Sequence, residues 1–329
     1  MTVSGRLVIS ATLALGAVVG GAIATKLPSA TMAAAQRQPA AGAAAARTAQ
    51  PPQFDSARAW AHLRQLIAIG PRPAGSAQLR QTRAYITRQL AALGLTVQEQ
   101  AFTADTPMGR VEMVNLAVRL PGRRSDRILI TGHYDTKLFR TQTFVGASDG
   151  GSSAAFLLEL ARTLRDRPRE FTHEIVWLDG EEAFCSSWTE CGRPGSPDNT
   201  YGSRYYVQAA RKAGALASIK AMVLVDMIGD TDLQIRRDSN SARWLTDIIW
   251  NTARRLAYGG VFVNADTTVE DDHLPFVEAG VPSVDIIDLD YPYWHTPDDT
   301  LQHVSARSLQ AVGDVLVAAL PDIESHFKN

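Results

Sequence analysis

Cysteine is scarce: Cys185 and Cys191 are the only two in a chain of 329 residues. As a zinc pair they lack partners, and in an exported chain their closeness points to a disulfide. A loop this short gains little entropy from closure, so the bond would shape the segment around Trp188 more than it stabilises the fold. Excess charge is also missing. The formal net charge is −1 and no long basic block occurs, which argues against nucleic acid as the main partner. No internal repeat is found. What remains is 45% apolar and 20% charged residues, the balance of a soluble globular protein with enough chain for a sizeable core.

The first residues read as an address. Met1 to Arg6 carries one positive charge, and Leu7 to Ala24 is an unbroken run of apolar and small residues, the core of a signal peptide with Ala22-Ile23-Ala24 as its cleavage site. The run is also close to the roughly 17-residue minimum for a membrane span, so an uncleaved N-terminal anchor is the alternative. No cysteine lies nearby, which excludes a lipoprotein anchor. Residues 25–52, rich in Ala, Gln, Pro and Thr, read as a disordered linker. One domain over residues 53–329 is the economical organisation, in a protein that is periplasmic or secreted and meets a membrane only through an uncleaved anchor.

Trp60, Leu63, Leu66 and Ile67 recur at helical spacing, and a second helix is expected from Ser76 to Leu93 before Gly94, with the loop GPRPAGS between them. Leu95 to Phe102 and Val111 to Leu120 alternate as strands, and Pro121-Gly122 turns the chain into a third, Arg127 to Thr131, an antiparallel start. Helices over Gly151–Leu164, Ser203–Ala213, Ala242–Tyr258 and Ser305–Leu320 then alternate with strands over His173–Leu178, Ala221–Ile228, Asp232–Arg236 and Val281–Asp288. This order predicts an α/β fold: a mixed, mostly parallel central sheet with helices on both faces.

Three of the apolar runs end in acidic or imidazole side chains: FVGASDG at Asp149, WLDGEEAF at Glu181 and Glu182, and YWHTPDD at His295. An α/β sheet delivers ligands to the crevice at its strand ends in this way. A catalytic zinc needs three protein ligands and one open position, which Asp149, Glu182 and His295 would supply, leaving Glu181 as acid/base. Each motif alone has a plainer reading. Asp149 stands where a helix N-cap would stand, the DGEE run could be a solvated turn, and a histidine beside an aromatic is more often structural. His133 and Asp135 in GHYDT form an HxD pair that is weak by itself. Asp226 in MVLVDMIGD must find a partner inside an apolar strand, whether a metal, a neighbour that shares a proton or a backbone donor.

In order along the chain, GHYDTK, FVGASDG, LDGEEAF, NTYGSRY, VDMIGD, EDDHLPFVEAGVPSVDII and YWHTPDDT resemble the motifs of the animal-type zinc-dependent glutaminyl cyclases, within the superfamily that also holds the zinc aminopeptidases. The similarity spans about Gly132 to Thr300. It implies a glutaminyl-peptide cyclotransferase that closes the N-terminal glutamine of a peptide or protein to pyroglutamate with loss of ammonia. By the resemblance Asp149, Glu182 and His295 bind one zinc, Glu181 is the acid/base, and Asp226 and Asp271 share protons beside it. Trp188 and Trp294 line the substrate pocket.

In the aminopeptidases, residues placed like His133 and Asp226 bind a second zinc and the aspartate at 149 bridges the two, so a one- or two-zinc aminopeptidase is the competing reading. A binding module for peptide N-termini is a third, opposed by the intact Glu181. The EDDHLPF segment, the two tryptophans and YGSRY favour the cyclase. Asp285 departs from the pattern, since the animal cyclases carry a histidine there.

Overall fold

The computed structural model describes residues 53–193 and 195–328, so the expected signal or anchor segment and the linker lie outside the described residues. Asp55 opens helix α1 (Ser56–Ile69) by accepting hydrogen bonds from the amides of Ala57 and Arg58, and Ser76 caps α2 (Ala77–Ala92) through the amide of Leu79. Both caps satisfy donors that a helix N-terminus leaves free. Strands β1 (Val97–Thr106) and β2 (Gly109–Leu120) form the expected antiparallel hairpin. Then come β3 (Arg124–His133), α3 (Gly151–Leu164), β4 (Phe171–Leu178), α4 (Tyr201–Lys212), β5 (Ile219–Asp226), β6 (Ile235–Asp238), α5 (Arg243–Arg255), β7 (Phe262–Thr267), α6 (Leu274–Glu278), β8 (Ser283–Ile287) and α7 (Ala306–His326).

Six strands make one sheet in the order β1-β2-β4-β3-β5-β8. The four inner pairings toward β8 include three parallel ones, β4 with β3, β3 with β5 and β5 with β8, while β2 meets β4 antiparallel. The sheet is therefore mixed and mostly parallel, as the alternation of elements predicts. The antiparallel start is right only for β1 and β2. β3 does not pair with β2, because β4 lies between them. β4 is buried along its whole length, and a strand buried on both faces belongs inside a sheet. The turn after β2 packs on the entry to β4, where the amides of Arg123 and Arg124 donate to the carbonyls of Arg169 and Glu170.

Alternate side chains separate the two faces, as a period of two requires. Ile128, Ile130, Ile175, Trp177, Val223 and Val225 join the larger core with α1, α2, α3, α5 and α7. Leu129, Val176, Leu178, Met222 and Leu224 join a smaller one with α4 and α6. A separate two-stranded sheet pairs β6 with β7. β7 is absent from the sequence reading because its half-exposed stretch, with Asn264 and Asp266, resembles a polar loop.

Every parallel strand ends at the same edge, so His133, Leu178, Asp226 and Ile287 close their strands around one crevice. Arg72, from the GPRPAGS loop, holds the floor of it. Its side chain is fully buried and donates to the carbonyls of Tyr134 (3.1 Å), Val145 (2.5 Å) and Gly146 (2.9 Å). Burial pulls its pKa down to about 10, and Asp149, Asp299 and Asp135 hold the proton on, so the guanidinium is charged at neutral pH. Arg72→Leu leaves three carbonyls without a donor at about 1–3 kcal/mol each. Urea unfolding should show a loss of at least roughly 3 kcal/mol, and a loss under about 1 kcal/mol would contradict the assignment.

Candidate metal centre and acidic cavity

Gly180 makes the first decision at the crevice. It holds φ +71°, and a Cβ there would meet the sulfur of Met113 at 2.5 Å, so glycine alone turns the chain so sharply at the end of β4. The acidic run consequently splits. Asp179 faces backward, accepting from the amide of Val114 (2.8 Å) and the hydroxyl of Tyr134 (3.2 Å), and burial pushes its pKa up to about 8. Glu181 and Glu182 face the crevice, their amides donating to Asp135 Oδ1 (3.2 Å) and Oδ2 (3.4 Å). All three carboxyls are buried, so the solvated-turn reading fails. Asp135 thus belongs under the site as a clamp on the two glutamates.

Asp149 is not a helix cap. Gly150 occupies that position at φ +68°, and no side chain caps α3. Instead Asp149 Oδ1 lies 3.2 Å from His133 Nε2 and Oδ2 lies 3.3 Å from His295 Nε2. Asp299 fixes the backbone beneath by accepting from the amides of Ser148 (2.8 Å) and Asp149 (3.1 Å). His295 sits at φ +57°, a left-handed backbone that costs a non-glycine residue on the order of 1–3 kcal/mol and collects at functional sites. Gln142 holds its carbonyl at 3.0 Å, Trp294 stacks on its ring at 4.5 Å, and the edges of Phe139 and Phe144 pack at 5.8 Å.

Two groups of three donors result. Asp149, Glu182 and His295 each offer one atom within 4.8 Å of the others, as do His133, Asp149 and Asp226. The two groups share Asp149, so the sets expected for one and for two metals both assemble. Asp226 finds its partners in His133 Nε2 (3.0 Å) and the amide of Met227 (2.8 Å). The donors suit zinc, being carboxylate oxygens and imidazole nitrogen. Asp149 Oδ2, buried without a hydrogen-bond partner, is the kind of atom a cation would satisfy.

A cavity of about 370 Å³ opens beside this centre, lined by Glu181, Asp226, Asp271, Trp188 and Trp294 together with the donors. The expected site residues all meet there except His133, which lies behind the wall. Burial, with Glu182, Asp271 and Asp272 nearby, pushes the Glu181 carboxyl well above its usual range against the pull of His133. Asp271 is raised likewise by burial, Asp226 and Asp272. Cys185 and Cys191 are bonded. The loop they close carries Trp188, and Lys137 pins it by donating to the carbonyls of Ala183 (2.7 Å) and Cys185 (2.9 Å). Asp299, Lys137 and the two phenylalanines escape a sequence reading. Asp299, Lys137 and Phe144 do fall inside the motifs YWHTPDDT, GHYDTK and FVGASDG, but nothing in those motifs tells their roles.

Residues 115–320 match the model of peptidase family M28, and the chain belongs to that family. A glutaminyl-peptide cyclotransferase-like protein of Bos taurus is 29% identical over 300 residues, covering 82% of this chain and 76% of the relative. The crystal structure of an Acidobacteriales bacterium glutaminyl cyclase is 38% identical, with a TM-score of 0.78 over 89% of this chain and 100% of that chain. A Zn-dependent exopeptidase from Parabacteroides distasonis shares the fold, with a TM-score of 0.75 at 24% identity over 82% of this chain and 99% of that chain.

In metal-free protein the histidine of the centre carries a pH signature. Burial opposes charge on His295, but Glu182 and Asp149 outweigh it and push its pKa up to about 10. A raised folded-state pKa adds stability that is complete below the unfolded value near 6.5 and is lost as pH climbs through the folded one. After chelation, the stability gap between the native protein and His295→Ala should therefore shrink by on the order of 1–3 kcal/mol from pH 6 to pH 10. A gap constant across that range, measured by urea unfolding, would remove the ion pairs from the account.

Proposed function

We propose that residues 53–329 form a zinc-dependent glutaminyl-peptide cyclotransferase, with Asp149, Glu182 and His295 as ligands of one zinc and Glu181 as acid/base. The observation that carries the reading is Glu181: a buried carboxyl of raised proton affinity beside the ligand triad, outside it, and facing a tryptophan-walled cavity. The 38% identical glutaminyl cyclase, covered over its whole length, supports it.

Bound zinc would act as a Lewis acid on the carbonyl under attack. The chain's own residues do the rest. The α-amine of an N-terminal glutamine attacks the side-chain amide carbon, the bond from that carbon to the amide nitrogen breaks, and ammonia leaves. Glu181 takes the proton from the amine and returns it to the departing nitrogen, a double duty that needs a carboxyl whose pKa is lifted toward neutrality. Burial, with Glu182, Asp271 and Asp272, provides that lift, and Asp226 lines the same cavity. Because the reaction is intramolecular, its main demand is a substrate folded on itself with water kept out. Trp188 and Trp294 provide such walls. The substrates are peptide or protein N-termini.

The aminopeptidase reading keeps one specific support, the His133–Asp149–Asp226 group. His133 Nε2 cannot both bind a second metal and donate to Asp226, so metal count separates the two activities. The disulfide fits an oxidising compartment, and no helix among the described residues is long and apolar enough to cross a membrane. On the disulfide we read the protein as exported, periplasmic or secreted, with the N-terminal anchor kept as the alternative.

Purified protein given glutaminyl peptides and amino-acid arylamides should form pyroglutamate with one zinc per chain. Arylamide cleavage with two would sink the proposal. Glu181→Gln should lower turnover roughly 10²–10⁴-fold with zinc retained, whereas His295→Ala should lose the metal and Trp294→Ala should chiefly raise KM.

A further inference from the structure

Three consecutive residues before α6 point three ways. Asp271 lines the cavity with its Oδ2 free of any hydrogen-bond partner. Asp272 accepts from the hydroxyl of Ser203 on α4 at 2.5 Å. His273 turns inward and is fully buried, its Nε2 3.2 Å from Asp238 Oδ2 at the end of β6 and its Nδ1 3.6 Å from Asp285 Oδ2 on β8. Ser241 closes the ring from the other side. Its hydroxyl donates to Asp238 Oδ2 at 2.8 Å and accepts from the amide of Asp285 at 3.0 Å.

Asp238 is the fixed point of this ring, since it also accepts from the amides of Val269 (3.0 Å) and Asn240 (3.2 Å). Asp285 is the exposed weakness. It is fully buried, and neither of its oxygens has a hydrogen-bond partner. A bare carboxylate in such a place costs several kcal/mol, and Asp226, Asp238, Asp271 and Asp272 add repulsion. His273 is what faces it: the imidazole lies between the two buried carboxyls, Nδ1 toward Asp285 and Nε2 toward Asp238, with neither nitrogen in hydrogen-bond geometry, so the polar contact between them is the compensation this pocket offers.

We infer that Asp285 and His273, anchored by Asp238, are positioning residues that set Asp271 against Glu181 in the cavity. Transmission is through backbone. Asp271 Oδ1 accepts from the amide of Asp272 at 2.5 Å, its carbonyl accepts from Leu274 at 2.9 Å, and the carbonyl of His273 accepts from Phe276 and Val277. This tight turn cannot move at 273 without moving at 271. Misplacing a group beside the acid/base by even about 1 Å can lower turnover on the order of 10²-fold, while substrate contacts made elsewhere in the cavity stay intact.

The inference rests on the cyclase reading for its substrate, and the test keeps the two apart. The unaltered protein is assayed first: absence of pyroglutamate there counts against the cyclase reading alone, and the variants are then followed on arylamide hydrolysis. Asp285→Leu, close in size and without a polar group to face His273, should lower kcat roughly 10–100-fold with KM within about twofold and zinc per chain unchanged. Asp285→Asn, which keeps a polar group of the same shape facing Nδ1, should stay within roughly threefold of the parent. Adding His273→Leu to Asp285→Leu should cost no more than about twofold beyond the worse single change, because the two act as one unit. Should the leucine variant not fold, His273→Gln, which reaches only one of the two carboxylates, must show the same loss in kcat at constant KM. An unchanged kcat in Asp285→Leu, an equal fall in Asp285→Asn, or losses that multiply in the double variant would each overturn the assignment.

Discussion

Repulsion among carboxyl groups buried at one sheet edge is the constraint around which this protein is organised. Asp149, Glu181, Glu182, Asp226 and Asp271 all face a single cavity, where the low dielectric makes like charges costly. The fold answers with positive groups and backbone donors. His133 and His295 stand on either side of Asp149, Arg72 keeps its charge below them, and Asp135 and Asp299 spend their oxygens on the amides that carry the site. Burial and mutual repulsion raise the proton affinity of Glu181 and Asp271, and the donors at the centre stand in an arrangement that suits a cation.

The same constraint makes the chemistry available. A carboxyl left beside the candidate metal donors and pressed by other acids keeps its proton to higher pH, which is the property that proton transfer near neutrality requires. Ring closure and hydrolysis draw on this property equally, so the donors cannot separate them. In the proposed cyclase the separation would lie in the walls, with Trp188 carried on the Cys185–Cys191 loop and Trp294 stacked on His295, and in the use made of His133. Family M28 membership is compatible with both activities, while the similarity to glutaminyl cyclases runs along most of the chain.

Strands and helices with strong periodicity were legible before folding. The alternation of apolar runs and helical stretches foretold the mixed sheet, and glycine after α2 marked a helix end. Pairing was less accessible: that β4 would enter between β2 and β3 follows from its burial on both faces, which a run of apolar residues does not distinguish from a buried segment elsewhere. β7 stayed hidden because Phe262 alone of its residues is buried. Among the site residues, those at the ends of apolar runs stood out, since a carboxylate in such a place demands a reason. Lys137, Phe139 and Phe144 gave no such signal, because each is ordinary until the fold brings it to the centre.

The amino-acid order by itself determined which side chains would be charged at the strand ends, where the chain could turn sharply, and how the faces of each strand divide. Tertiary structure alone decided which acids became partners. Asp179 and Glu181 are two residues apart, yet Gly180 sends one into a hydrogen-bonded corner and the other into the cavity. Asp285 meets His273 and Asp238 only because three elements distant in sequence close around them. Charge and periodicity are local properties and can be read in one dimension, whereas burial and the distance between two carboxylates exist only once the chain has folded.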